Sequence, residues 1–232
     1  MTNKLLLPKS LQHPFKAVLF DLDGTLLDSE DVHYFAFREA LKEFGYNFDE
    51  LAKQAHFQGS FKKAFQDIGH ELGFDHEKFD KIYERKVELT LQISPNEIDK
   101  VAGITSFLEL LKERAVPMGV VTNSERRYAG LVMTAHDLLD YFNPVITGDE
   151  LSEPKPAPKG YLRAAEQLNI NPQDILVFEN SDAGITAAKA AGMCVIAIRT
   201  TDVGNYSNFE AADLGIDDFA DNLLNDLTFN TK

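Results

Sequence analysis

The chain is poor in several things, and each shortage narrows its function. Among 232 residues there is a single cysteine, Cys194, so no intramolecular disulfide framework can form. No apolar run approaches the ~20 residues that cross a bilayer. The stretch Leu5–Leu7 is too short for the apolar core of a secretory leader, and Pro8 interrupts it. Positive charge is scarce: 23 Lys and Arg stand against 37 Asp and Glu, a formal net charge of -14. That balance argues against a nucleic-acid or anionic-membrane partner, and an anionic substrate would need a local cation. Internal repeats and low-complexity segments are also missing. These observations predict a cytoplasmic monomer with a short N-terminal tail. After Asp202, Lys232 is the only Lys or Arg, which reads as a solvated acidic surface. Cys194 sits in the apolar run CVIAI and reads as a buried, inert thiol.

What is present is a set of short, β-branched-rich apolar runs of the kind that form buried parallel strands. They are Ala17–Phe20, Val116–Val121, Pro144–Ile146, Ile175–Phe178 and Cys194–Ile198. Helical periodicity lies between most of them. Ile104, Phe107, Leu108 and Leu111 share one face, and residues 125–139 and 157–168 also read as helices. This alternation predicts an α/β fold with a doubly wound parallel sheet. One interval is too long for a single crossover. Nearly 100 residues separate the first two strands, with helical patterns at 31–45, 49–56, 60–72 and 76–93. Val32, Phe35, Ala36, Ala40 and Phe44 form the expected apolar stripe of the first helix. The expected organisation is a core of residues 14–30 and 98–232 with an inserted helical cap at 31–97.

The first strand ends abruptly in acids, in KAVLFDLDGTLLDS. Carboxylates beside a buried strand are costly unless compensated. Ligands of open parallel sheets bind beyond the carboxyl ends of the strands. Polar groups recur there: Asp21 and Asp23, TNS at 122–124, GDE at 148–150 and ENSD at 179–182, with Lys155 in the loop EPKPAP. Two acids a pleat apart suit divided labour, one ionised and attacking, the other handling a proton. A divalent cation that prefers oxygen ligands, such as Mg²⁺, would offset their charge. Lys155 and the TNS donors would then hold phosphate oxygens.

The segments DLDGT, TNS, KPAP and FENSDAGITAAKAAGM resemble the four motifs of the haloacid dehalogenase-like superfamily, over residues 16 to about 200. The phosphatase and β-phosphoglucomutase branch, with a helical cap after the first motif, is the nearest likeness, and DSEDVH at 28–33 is similar to the start of that cap. The resemblance implies that Asp21 is a nucleophile forming an aspartyl-phosphate. It implies that Asp23 is general acid and then base, with its backbone carbonyl on Mg²⁺. Thr122 and the backbone amide of Asn123 would hold the transferring phosphoryl group. Lys155 would neutralise charge, Gly24 would permit the turn and Thr25 would brace it. At the fourth motif the branch carries Glu-Asp, whereas this chain has Glu179-Asn180. Asn180 offers a neutral oxygen to the metal, Glu179 would act through water, and Asp182 lies close enough to help.

His33 reads as a hinge hydrogen bond rather than a ligand. Lys62 is either a contact for a second anionic group of the substrate or part of a solvated helix face, and Phe57 and Phe61 read as cap core. The implied activity is Mg²⁺-dependent hydrolysis of a small phosphomonoester. A phosphosugar mutase is the alternative, although Thr25 stands where that branch often has Val. Dehalogenase or phosphonatase chemistry fits less well, because those lines lack an acid at the position of Asp23. A binding module with a weakened metal site is a third reading, favoured only by Asn180.

Overall fold

A computed structural model describes residues 7–47, 76–93, 97–199 and 209–230, with positions 69 and 73. The helices expected at 49–56 and across most of 60–72, together with Phe57, Phe61 and Lys62, lie outside the described residues. Six parallel strands form one sheet: β1 (Ala17–Phe20), β4 (Met118–Val121), β5 (Val145–Ile146), β6 (Ile175–Glu179), β7 (Cys194–Ile198) and β8 (Leu214–Ile216). Their spatial order is β5-β4-β1-β6-β7-β8. β1 is therefore central, with Leu19 opposite Gly119 on one side and Val177 on the other.

Side chains alternate between the two faces of each strand. Val18, Phe20, Val120, Leu176 and Phe178 join one apolar cluster, while Ala17, Leu19, Val121 and Val177 join another. The first is covered by α3 (Ile104–Glu113) and α4 (Arg126–Ala135), the second by α5 (Lys159–Leu168) and α6 (Asp182–Ala190). Helices on both faces make this the doubly wound sheet that the alternation predicts. Ile104, Phe107, Leu108 and Leu111 are all buried, as their spacing requires. Phe20 stacks on Phe178 with ring centroids 5.3 Å apart, and Phe107 meets Phe178 edge-on. This aromatic floor lies one residue before Asp21 and Glu179, so it fixes where the two strands deliver their acids.

Between the first two core strands the chain leaves the sheet through β2 (Leu27–Asp28) and returns through β3 (Asp99–Lys100), which pair antiparallel. α1 (Glu30–Glu43) and α2 (His76–Gln92) pack together through Phe37, Ala40, Leu41, Phe79 and Ile82, an apolar cluster separate from the sheet. The buried face of α1 is not the expected stripe. His33, Tyr34, Ala36, Phe37, Ala40 and Leu41 are buried, while Phe35 and Phe44 are exposed. Among the described residues no helix is long and apolar enough to cross a membrane.

Both ends of the core depart from the sequence reading. The N-terminal segment from residue 7 is not a free tail, since Leu7, Leu11 and Phe15 are buried in the core. Phe15 donates its N–H to the Thr228 carbonyl at 2.9 Å, and Asn230 N–H returns to the Phe15 carbonyl at 2.8 Å. The acidic C-terminal region is not wholly solvated either. It supplies edge strand β8 and buries Phe219, Leu224 and Leu227. These apolar residues are interspersed with acids, which masks them in the sequence. The helix expected over 125–139 ends at Ala135, and Asp137 follows in a left-handed conformation (φ 55). The strand expected from Val116 begins at Met118. Cys194 is half-buried, with its Sγ 3.3 Å from the Ser10 carbonyl, and burial pushes its thiol up, which keeps it unreactive.

If the C-terminal segment is core, Leu227→Ala lowers the free energy of unfolding by about 2–5 kcal/mol. Urea titration measures it, and a loss below about 0.5 kcal/mol would return this residue to the surface class.

Candidate active site

The carboxyl ends of β1, β4 and β6 converge on a cavity of about 470 Å³. Asp21, Asp23, Thr122, Asn123, Lys155 and Asn180 line it from the sheet side. Tyr34, from α1, and Tyr83, Lys86, Val87 and Thr90, from α2, line it from the helical insertion. The structure thus brings together Asp21, Asp23, Thr122, Asn123, Lys155 and Asn180 as the sequence placed them, while Glu179 lies beneath the cavity and Asp182 outside its lining.

Asp21 ends β1, its backbone N–H held by the Phe178 carbonyl at 3.0 Å. Its Oδ1 accepts from Lys155 Nζ at 2.5 Å, and the same ammonium reaches Glu179 Oε1 at 2.5 Å. All three groups are buried. Burial pushes the Asp21 carboxyl well up; Lys155 counteracts it, and Glu179 adds to it. For Lys155, burial disfavours the ammonium, but Asp21 and Glu179 outweigh it and hold its pKa above the ordinary value. One cation thus serves two acids.

Glu179 is an anchor. Its Oε2 accepts from the N–H groups of Asn180 and Ser181 and from the Ser181 hydroxyl, at 3.0–3.1 Å. Its Oε1 also accepts from Tyr161 Oη at 2.9 Å, and the Lys155 ammonium lies 5.2 Å from the centre of that tyrosine ring. A Cβ at residue 184 would sit 1.7 Å from Glu179 Oε1, so only Gly184 lets the first turn of α6 pass. Ser181 caps that helix through the Gly184 N–H. The two loops that carry Asn123 and Lys155 are tied reciprocally. Lys155 N–H donates to Asn123 Oδ1 at 2.9 Å, and Asn123 Nδ2 donates to the Lys155 carbonyl at 3.3 Å. Thr122 Oγ1 accepts from the Ser124 N–H at 2.9 Å, which turns the chain across the end of β4.

Asp23 has the opposite surroundings. Ser29 Oγ and Ser124 Oγ each donate to it at 2.5 Å, and Tyr128 Oη at 3.1 Å. His33 Nε2 lies 3.0 Å from its Oδ1. Burial pushes this carboxyl up, but His33 and the hydroxyls of Ser124 and Ser29 more than offset it and hold it well below the usual range. His33 is itself pushed down, by burial and then by Lys86, whose Nζ lies 3.0 Å from His33 Nδ1. A lysine donor on Nδ1 leaves Nε2 to carry the proton that faces Asp23. The hydroxyls of Ser29, Ser124 and Tyr128 add to the hold on Asp23. The hinge hydrogen bond expected of His33 is therefore a contact with a site acid.

Asn180 is buried. Its Nδ2 donates to Glu30 Oε1 at 2.7 Å, and Thr25 Oγ1 donates to its Oδ1 at 3.4 Å, the expected brace. Gly24 has φ 75, and a Cβ there would lie 1.9 Å from Asn180 Nδ2. Asp182 opens α6 and is not among the residues lining the cavity.

Sequence reading did not single out Ser29, Glu30, Lys86, Tyr128 and Tyr161. Ser29 looks like an N-cap for α1, yet its hydroxyl makes no cap and goes to Asp23 instead. Lys86 sits in a charged helical stretch like any solvated face, so nothing in its neighbours marks it.

A family model described as haloacid dehalogenase-like hydrolase matches residues 18–198. Validoxylamine A 7'-phosphate phosphatase of Streptomyces hygroscopicus subsp. limoneus is 34% identical over 188 residues, covering 81% of this chain and 87% of its own. Fructose-1-phosphate phosphatase YqaB of Escherichia coli is 30% identical over 185 residues, 80% of this chain and 97% of its own. Among solved structures, CbbY from Rhodobacter sphaeroides, in complex with xylulose-(1,5)bisphosphate, superposes with a TM-score of 0.78 at 25% identity, over 93% of this chain and all of its own. With matching motifs at the ends of the same sheet, the chain belongs to the haloacid dehalogenase-like hydrolases.

Proposed function

We propose that this chain hydrolyses a small phosphomonoester, with Mg²⁺, through a phosphoryl group carried on Asp21. The observation that supports it best is the pairing of two nearby acids with contrasting surroundings. Asp21 is held by an ammonium and Asp23 by hydroxyls. In this reading an Asp21 oxygen attacks phosphorus in line with the leaving oxygen. As the phosphorus–oxygen bond breaks, Asp23 gives its proton to the leaving group. Asp23 then takes a proton from water, the water oxygen attacks phosphorus, and the Asp21–phosphorus bond breaks to release inorganic phosphate. An entering phosphate brings negative charge beside Asp23, which raises its affinity for the proton it must donate. Thr122, the backbone amide of Asn123 and the Lys155 ammonium hold the phosphoryl oxygens, where positioning and charge neutralisation carry most of the catalysis.

The donors present fit a hard cation. They are the Asp21 carboxylate, the Asp23 backbone carbonyl and the Asn180 side-chain oxygen. Among the described residues no three acids or histidines form a cluster of their own, so backbone and amide oxygens complete the set. The strongly raised Asp21 is the physical sign that positive charge is in demand there. When bound, Mg²⁺ would neutralise Asp21 and the substrate together. Glu179 would reach it only through water, in competition with the protein donors that its oxygens already have. The insertion at 31–97 is proposed as the cap that carries substrate choice, with Lys62 meeting a second anionic group and Lys86 linking the cap to Asp23 through His33.

Asp21→Asn is expected to abolish covalent phosphorylation and turnover with the fold intact. Retained activity above a few per cent would remove Asp21 from the nucleophile's role. Asp23→Asn slows hydrolysis of alkyl phosphates by about 10²–10⁴, and p-nitrophenyl phosphate by much less, because its leaving group needs no proton. An equal loss on both substrates would exclude the acid role.

A third expectation concerns pH. Burial brings the Lys86 ammonium down from 10.5 to about 8. Between those values the unfolded chain binds the extra proton, so stability rises with pH across that window. Lys86→Met removes this contribution. Urea unfolding at pH 7.5 and 10 is expected to show wild type gaining on the variant by about 1–3 kcal/mol. Parallel pH dependences would mean that Lys86 is solvated.

A further inference from the structure

The fourth motif of this chain has an amide where the nearest branch of the family has an acid, and the structure shows what stands behind it. Glu30 is the first residue of α1, directly after Ser29. Its Oε1 accepts from Asn180 Nδ2 at 2.7 Å. A Cβ on Gly24 would lie 1.9 Å from that Nδ2 and 2.9 Å from that Oε1, so loop, amide and carboxylate share one tight cradle. Glu30 and Asn180 line the same cavity as Asp21.

An asparagine side chain has one accepting and one donating end, and only the oxygen can face a cation. Glu30 binds the donating end. That contact leaves Oδ1 as the free-facing end of the amide, where Thr25 Oγ1 donates to it at 3.4 Å. A carboxylate that accepts an amide N–H also polarises the amide and makes its oxygen a better ligand. Resting on the metal-dependent reading above, we infer that Glu30 is a positioning residue that orients Asn180 and supplies, from one group further out, the negative charge that residue 180 lacks. The acid of the motif has moved from the β6–α6 turn to the start of the helical insertion. The binding of the cation is thereby tied to the placement of α1.

The inference separates two substitutions that a simple ligand count would rank differently. Asn180→Asp adds a formal charge, but it also places a second carboxylate beside the first. Like charges at that separation repel or share a proton, so the gain is largely cancelled while Glu30 remains. Glu30→Gln keeps the shape, removes the charge and lets the amide turn over. The pair together moves the charge from residue 30 to residue 180.

The test is Mn²⁺ binding by the full chain, read by electron paramagnetic resonance of the free ion without turnover. Wild type, Glu30→Gln, Asn180→Asp and the double variant are compared after circular dichroism shows that each is folded. Glu30→Gln is expected to weaken binding about tenfold or more, the scale of lost outer contacts at metal sites. Asn180→Asp alone is expected to change it less than about threefold, and the double variant to return within about threefold of wild type, a strong non-additivity. Unchanged binding in Glu30→Gln, a loss that the double variant does not restore, or a tenfold gain in Asn180→Asp alone would each overturn the inference. Wild type that takes up no Mn²⁺ at millimolar concentration would instead overturn the metal-dependent reading, and the inference with it.

Discussion

The buried ammonium of Lys155, held between Asp21 and Glu179, is the contact on which the site depends. Taking three charges out of water is expensive, and such a cluster persists only when the remaining hydrogen-bonding capacity is met. Glu179 meets it fully on its own side through Tyr161, Ser181 and the amide of Asn180. Asp21 does not: it faces the cavity with one strong partner and a carboxyl pushed up by burial. The asymmetry is useful. One acid is spent on structure, while the other faces the cavity with fewer partners.

Asp23, two residues away, shows how environment divides labour between identical side chains. Its donors come from three elements: Ser29 before α1, Ser124 after β4 and Tyr128 on α4. His33 and Lys86 extend the chain of contacts into the helical insertion. Asp23 is thus held by loops of the sheet and, through His33 and Lys86, by two helices that pack on a small apolar cluster of their own.

Much of the architecture was legible because it depends on local pattern. Central strands buried on both faces must be continuously apolar, and Ala17–Phe20 and Cys194–Ile198 appear at the expected positions. Acids and amides at strand ends must be compensated, which is why Asp21, Asp23, Thr122 and Lys155 could be gathered into one site before any coordinates. The edges were less legible. Leu214–Ile216 is three residues long with Gly215 in its middle, and Phe15, Leu224 and Leu227 enter the core singly from acidic or polar surroundings. A lone apolar residue carries no period, so only the packed structure reveals it.

The residue types at the strand ends, and the resemblance to a family that they carry, lie in short stretches of the chain. What each of those residues touches follows from contacts between segments far apart in sequence. Glu179 reads as a metal-site acid and turns out to be saturated by protein donors. Ser29 makes no cap on α1 and donates to Asp23 instead. Lys86 lies in a charged helical stretch and is buried against His33, 53 residues away. Hydrogen bonds and burial act through space, and a buried charge takes its partner from whichever element the fold brings near. That is why the inventory of the site was written in the sequence, while the partners of each of its groups were decided by the tertiary structure.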